Sequence, residues 1–111
     1  HRGRADRLNC YKGWRPLHAA AFGGHLLICS LIMDEIQDKN PGDDKGFTPL
    51  HAAAGGGQVE TFKMIMEKAG TDLNPSDNLG WTPLHSAASE GQLEICSFML
   101  SAIKQLKTKI Q

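Results

Sequence analysis

Three histidines recur along the chain at nearly equal intervals, and their side chains are candidate metal ligands. His18, His51 and His85 lie 33 and 34 residues apart, within three similar segments. Imidazole nitrogens bind zinc at about 2 Å, so one shared ion would need all three rings to converge on a single point. If each histidine belongs to its own packed helix, the rings are instead roughly 10 Å apart. The spacing therefore indicates no metal site.

Other combinations of residues that could do chemistry are incomplete. The sequence contains no Gly-x-Ser-x-Gly motif, no His-Glu-x-x-His motif and no Walker-type loop. The glycines at 55–57 are not followed by the Lys-Ser/Thr pair that a phosphate-binding loop needs. Asp43 and Asp44 form a carboxylate pair without metal-ligand spacing around it, and we interpret them as a solvated loop tip. We therefore expect no catalytic residue, no metal and no cofactor.

The three cysteines do not form a recognisable framework. Cys10, Cys29 and Cys96 are too few and too scattered for a disulfide scaffold, and they lack the CxxC spacing typical of zinc sites. Cys29 and Cys96 occupy equivalent apolar positions and are interpreted as small core residues, whereas Cys10 is expected to be exposed. Reduced thiols predict a cytoplasmic or nuclear location.

Composition and charge indicate one small folded domain. The chain has 111 residues, of which 41% are hydrophobic and 22% are charged, which is typical of a packed core rather than of disorder. A formal net charge of zero argues against a nucleic-acid partner. The charge is uneven, because residues 1–15 carry a net +4 and residues 16–100 a net −7. This acidic middle favours a partner segment of basic character.

No stretch of the sequence is apolar for long enough to span a membrane. The longest apolar run, residues 26–33, is broken by Ser30 and falls far short of the about 20 residues that a transmembrane helix needs. We therefore expect no membrane insertion by this segment. The chain begins with His1 without a basic-then-apolar leader, and we interpret it as part of a longer array or protein.

Three copies of one motif set the spacing of the histidines. The copies begin at Arg15, Thr48 and Thr82, and each continues with Pro-Leu-His. Threonine is a good N-cap and proline is preorganised for the first helical position, so each copy predicts a short helix that begins at its proline. Glycines follow each histidine by six residues and predict the end of the helix.

A second, longer helix is predicted in each copy. Apolar residues recur at helical spacing along two adjacent stripes, which indicates a wide apolar face. The first stripe contains Leu26, Cys29, Met33, Ile36, Val59, Phe62, Met66, Ala69, Leu93, Cys96, Leu100 and Ile103. The second stripe contains Ile28, Ile32, Thr61, Ile65, Ile95 and Met99. Because one helix pair cannot bury such a face alone, neighbouring pairs must stack.

The last helix is predicted to run past Ile103. Ile103, Leu106 and Ile110 continue the apolar spacing, and the Asn-Pro-Gly sequence that breaks the chain at residues 40–42 has no counterpart here. The third copy should therefore end in a C-terminal helical extension.

This pattern resembles the ankyrin repeat, whose Thr-Pro-Leu-His-x-Ala signature is matched in the second and third copies and in the first except at Arg15. The resemblance implies an all-α, ankyrin-repeat solenoid of stacked antiparallel helix pairs with β-hairpin loops. It assigns residues 13–45, 46–79 and 80–111 to three repeats of one domain, and residues 1–12 to the remnant of a preceding repeat. It also implies that the three motif histidines are structural and form hydrogen bonds with threonine and within the hairpins.

The resemblance further implies a non-catalytic protein–protein interaction module. Such a module binds another protein through its hairpin tips and the concave face of its short helices. An aromatic residue precedes each helix cap, either as an exposed binding row or as scaffold that covers the neighbouring hairpin. The candidate contact residues are Tyr11, Lys12, Trp14, Phe22, Asp44, Lys45, Phe47, Asn78, Leu79, Trp81, Ser89 and Glu90. The alternative is a structural or regulatory ankyrin segment of a larger enzyme or membrane protein that contacts its own parent chain.

Overall fold

The computed structural model of the protein describes residues 13–70 and 75–110, with side chains as far as residue 105. Within these residues the chain contains six α-helices and no β-strand. The helices are α1 (Pro16–Gly23), α2 (Leu26–Glu35), α3 (Pro49–Gly55), α4 (Val59–Ala69), α5 (Pro83–Ser89) and α6 (Leu93–Ile110). The predicted remnant at residues 1–12, with Cys10, Tyr11 and Lys12, lies outside the described residues.

The helices stack as pairs, one pair per repeat. The short helices α1, α3 and α5 contact one another in chain order, and each long helix packs on the short helix of its own repeat. Alanines allow this close approach, because Ala21, Ala53 and Ala87 are fully buried between the short helices. The predicted all-α stack of helix pairs is therefore confirmed.

The threonine and histidine of each motif copy determine where a short helix begins. In the second repeat, the His51 N–H donates to Thr48 Oγ1 at 3.3 Å, and the Thr48 N–H donates to His51 Nδ1 at 3.1 Å. In the third repeat, the His85 N–H donates to Thr82 Oγ1 at 3.3 Å, and the Thr82 N–H donates to His85 Nδ1 at 3.0 Å. Both helices start at the proline that follows, as the motif predicts.

The same histidines connect each repeat to the next. Because Nδ1 accepts a hydrogen bond from a backbone N–H, the ring proton lies on Nε2. His18 Nε2 donates to the Phe47 carbonyl at 2.7 Å, and His51 Nε2 donates to the Trp81 carbonyl at 2.8 Å. Both imidazoles are fully buried. The structural role implied for these two histidines is therefore confirmed.

The second apolar stripe is buried only where a described repeat precedes it. Ile95 of the third repeat is fully buried, whereas the matched Ile28 of the first repeat is 50% exposed. Among the described helices, none lies on that side of the first repeat. Burial of the long helices therefore depends on the neighbouring repeat, as expected for a solenoid.

Three leucines that the spacing assigns to the first apolar stripe are exposed instead. Leu26 and Leu93 are the first residues of their long helices, and the outer side of that first turn has no described neighbour. Leu100 matches the fully buried Met33, but no described repeat follows the third one to cover it. For these leucines the prediction from periodicity was wrong, because helical spacing does not say which side has a neighbour.

The loops between repeats contain tight turns that an aspartate closes. The Asp43 N–H donates to the Phe47 carbonyl at 2.8 Å, and Asp43 Oδ1 accepts the N–H groups of Lys45 and Phe47, both at 2.9 Å. Asp77 closes the matching turn of the next repeat in the same way. The Asp43 carboxylate is half-buried and binds turn amides, whereas Asp44 is exposed. The turns are hairpin-like, without a strand in the described residues.

The last helix continues past Ile103 to Ile110. Neither proline nor glycine interrupts this stretch, so the backbone hydrogen bonds of the helix are not broken. The third repeat thus ends in a longer helix than the other two.

Replacing Ile95 by alanine should cost far more stability than the matched change at Ile28. Ile95→Ala leaves a cavity between the second and third repeats, and we expect it to lower the free energy of unfolding by about 2–5 kcal/mol. Ile28→Ala removes a half-exposed side chain, and we expect a loss below about 1 kcal/mol. Urea unfolding followed by circular dichroism measures both variants. Equal losses would contradict the dependence of burial on the preceding repeat.

Replacing Arg15 by threonine should stabilise the protein. The Arg15 side chain has donors only and forms no capping bond, although the Arg15 N–H still donates to His18 Nδ1 at 3.0 Å. Arg15→Thr restores the missing acceptor and should raise the free energy of unfolding by about 0.5–2 kcal/mol. Thr82→Ala removes the matched acceptor and should lower it by a similar amount. If urea unfolding shows that Arg15→Thr lowers stability, the arginine makes a compensating contact.

Candidate functional site

A groove of about 350 Å³ crosses the three repeats on the side of the short helices. The residues that line it are Trp14, Phe22, Phe47, His51, Ala52, Gly55, Trp81, Ser86, Ser89 and Glu90. One wall is aromatic and comes from the residues that precede the short helices. The opposite side consists of small residues on α3 and α5, with Phe22 of the first repeat at one end and Ser89 and Glu90 of the third at the other. The groove is thus built by the whole stack.

The groove is open because one position of the short helices differs in size between repeats. Phe22, Gly55 and Ser89 occupy this matched position, and Gly55 leaves a gap in the middle. The gap is not a requirement of the scaffold. A Cβ built on Gly55 would meet only the Cβ of Ser86, at an ordinary contact distance of 3.7 Å. Since helices favour alanine over glycine, this glycine keeps a space that the packing does not demand.

Each aromatic residue of the wall also belongs to the scaffold. The ring of each wall residue lies close to the ring of the histidine of its own repeat. The distances between ring centroids are 5.5 Å for Trp14 and His18, 4.8 Å for Phe47 and His51, and 4.9 Å for Trp81 and His85. The rings of Trp14 and Phe47 stack on each other at 6.3 Å with 15° between their planes. Trp14 and Phe47 are therefore packed on each other, and all three aromatic residues contact a histidine and line the groove.

Trp81 is the most exposed member of the wall. Its side chain is 39% exposed, and Nε1 donates to Ser86 Oγ at 2.9 Å. This hydrogen bond holds the indole in one orientation. A large, oriented and accessible ring can contact a partner without the entropy cost of ordering a flexible side chain.

Two of the histidines behind the wall, His18 and His51, are neutral at physiological pH. Burial lowers the pKa of His51 below its ordinary value, and this effect outweighs the opposing influence of the Trp81 carbonyl and of Asp77. Burial likewise lowers the pKa of His18. A second proton on Nδ1 would also face a backbone N–H that already donates to that nitrogen. The imidazoles of His18 and His51 therefore add no charge behind Trp14 and Phe47.

The structure separates the predicted contact residues into two sets. Six of them line the groove, namely Trp14, Phe22, Phe47, Trp81, Ser89 and Glu90. Four are exposed residues of the loop turns, namely Asp44, Lys45, Asn78 and Leu79. Neighbouring turns are joined, because the Asn78 N–H donates to the Lys45 carbonyl at 2.8 Å. Tyr11 and Lys12 lie outside the described residues.

Four lining residues escaped the sequence analysis, namely His51, Ala52, Gly55 and Ser86. They are small or buried, whereas the predicted contact residues were the hairpin tips, the aromatic row and variable sites of the short helices. The signal that could have found them is the change from phenylalanine to glycine and serine at the position of Phe22 in the following repeats.

The comparison with known families agrees with this architecture. The family model described as ankyrin repeats matches the chain in three copies, over residues 2–77 and 35–109. The chain therefore belongs to the ankyrin repeat family. No curated protein matches its sequence. Ankyrin repeats are generally protein–protein interaction modules, and they are generally non-catalytic.

The described part of the chain offers neither a membrane span nor a metal site. None of its helices is both long and apolar enough to cross a membrane. Within residues 13–70 and 75–110, no three His, Cys, Asp or Glu side chains come together as a metal site would require. Burial raises the pKa of the Cys29 thiol, which keeps it protonated in the core.

The free energy of unfolding should fall as the pH drops below about 6.5. In the unfolded chain His51 takes up a proton near its ordinary pKa, whereas in the folded protein it does so only at lower pH. Protonation therefore favours the unfolded state, and the stability present above this pH is lost as the pH falls toward the folded pKa. Urea unfolding at about pH 7.5 and about pH 5.5 measures the loss.

The loss should be smaller in His51→Asn than in the wild type. Ile65→Val lowers stability without removing a titratable group, so it is the control and should keep the wild-type loss. A His51→Asn variant with an undiminished loss would show that other groups cause the pH dependence.

Proposed function

We propose that this protein recognises a segment of another protein in the aromatic groove. The observation that carries the proposal is the opening at Gly55, which the helix packing does not require. Phe47 and Trp81 line the opening beside the small residues of α3 and α5. A protein segment that places a side chain there would contact all three repeats.

The aromatic wall suits the energetics of protein binding. Truncation of a few residues in an interface causes most of the loss in binding energy, and tryptophan and other large aromatic residues are common among them. Trp81 is oriented by Ser86 before a partner arrives, and Trp14 and Phe47 are stacked. Binding therefore orders few groups of this protein, and most of the contact energy contributes to affinity.

The exposed turn residues support binding as a rim. Asp44, Lys45, Asn78 and Leu79 are exposed in the loop turns at the ends of the first and second repeats. Rim charges act mainly on the rate of association, because they remain solvated in the complex. The net charge of −7 over residues 16–100 should speed the approach of a basic segment at low ionic strength.

Peptides selected on the full chain from a random phage-displayed library provide a segment for the test. Trp81→Ala and Phe47→Ala should each weaken peptide binding by about 30-fold, because truncation at such positions costs about 2 kcal/mol. Gly55→Leu fills the groove from its floor and should weaken binding at least as much. Leu93→Ala removes a 79% exposed side chain of α6 outside the groove lining and is the matched control, with unchanged affinity. Fluorescence anisotropy measures affinity, and urea unfolding is recorded for each variant.

Peptide affinity and urea unfolding together distinguish a binding role of the aromatic row from a purely structural role. If the aromatic row were scaffold alone, the alanine variants would lose stability and keep the wild-type affinity. Unchanged affinity in Trp81→Ala, Phe47→Ala and Gly55→Leu would place the contact surface elsewhere. If selected peptides match a segment of the parent polypeptide, the module acts within its own protein, as the alternative function states.

A further inference from the structure

The exposed aromatic surface of the groove limits which type of side chain the groove can bind. Phe47 and Trp81 each have one face against a histidine, at centroid distances of 4.8 and 4.9 Å. Both residues also line the groove. Trp14 stacks on the Phe47 ring, whereas the Trp81 side chain is 39% exposed, so the Trp81 indole is the ring that presents an open face to a ligand. The face of an aromatic ring carries negative potential and attracts cations, with tryptophan the strongest of the three ring types.

Glu90 adds a negative charge at one end of the same groove. Among the described lining residues it is the one with a charged side chain, because the others are aromatic, small or hydroxyl residues and the buried, neutral His51. Its side chain is exposed and forms no ion pair with a described residue. The carboxylate is not needed for the helix end, because the Glu90 backbone N–H already donates to the Ser86 carbonyl at 3.2 Å.

We propose that the groove binds the cationic side chain of an arginine or lysine of the partner protein, with the exposed ring of Trp81 and the carboxylate of Glu90 as its contacts. This inference rests on the proposed function and names the chemistry of its ligand. A neutral apolar side chain would contact the rings but leave Glu90 unpaired. An acidic side chain would be repelled by Glu90 and by the surrounding negative charge.

A pair of small probes with the same shape and different charge tests the inference directly. Choline carries a quaternary ammonium, and 3,3-dimethylbutan-1-ol has a carbon atom in place of its nitrogen. Titration of each into the full chain is followed by two-dimensional NMR, using the Trp81 indole N–H and the Gly55 amide as reporters. We expect choline to bind about 3- to 30-fold more tightly than the alcohol.

A matched pair of charge variants identifies the carboxylate. Glu90→Gln should reduce the preference for choline and leave the affinity for the alcohol unchanged. Glu94→Gln removes the same charge from the first turn of α6, outside the groove lining, and should keep the preference. Circular dichroism confirms that both variants are folded. Loss of the preference in both variants would overturn the assignment of Glu90 as a direct contact.

The selected peptides give a second, independent measurement. Replacing an arginine of a bound peptide by citrulline, its neutral isostere, should weaken binding to the wild type and much less to Glu90→Gln. Equal binding of choline and the alcohol, or of arginine and citrulline peptides, would overturn the cation inference while leaving a protein-binding groove in place. Unchanged affinity in Trp81→Ala, Phe47→Ala and Gly55→Leu would overturn the proposed function itself, so the two failures are distinguishable.

Discussion

The stack depends on a neutral imidazole that serves two repeats at once. His51 accepts the Thr48 N–H on Nδ1 and donates from Nε2 to the Trp81 carbonyl, so one buried ring both starts its own helix and holds the next repeat. The two nitrogens have these opposite roles only while the ring is uncharged. Burial lowers the pKa of His51 and thereby preserves that state. The motif recurs in every repeat, so a histidine occupies the same position each time. This shared role explains why all three copies keep Pro-Leu-His, although the first has Arg15 at the cap position.

The bonds that join the repeats also shape the groove. The carbonyls held by His18 and His51 belong to Phe47 and Trp81, so the aromatic wall is attached directly to the scaffold. The ends of the short helices are joined in a similar way, because Gln92 Nε2 donates to the Gly55 carbonyl at 2.9 Å. Both sides of the groove are thus connected across repeats. A ligand meets a surface that is already assembled, which lowers the entropy cost of binding.

Function in this architecture comes from variation at positions that the scaffold leaves free. The matched residues Phe22, Gly55 and Ser89 share a backbone position but present a large ring, no side chain and a hydroxyl. These differences create the opening of the groove and make its two ends unlike. The histidines and threonines meanwhile give the short helices the same backbone structure in each repeat. Glu90 illustrates the same division, because its backbone ends a helix and its carboxylate is left to the groove. A repeated scaffold can therefore change its ligand chemistry without changing its fold.

The sequence by itself determined the number of repeats and the starts of the short helices. These features follow from bonds between residues a few positions apart and from a pattern that occurs three times. The structural role of His18 and His51 was implied by the family resemblance, and the tertiary structure supplied their bonds to the carbonyls of the next repeat. Only the tertiary structure decided which apolar residues are buried, as Ile28 and Ile95 show, because burial depends on whether a neighbouring repeat covers the position. It also decided that six of the predicted contact residues meet in one groove whose opening lies at Gly55. A cavity is the space between side chains of different repeats, and its shape is set by their stacking distance and orientation, which no local pattern in the sequence contains.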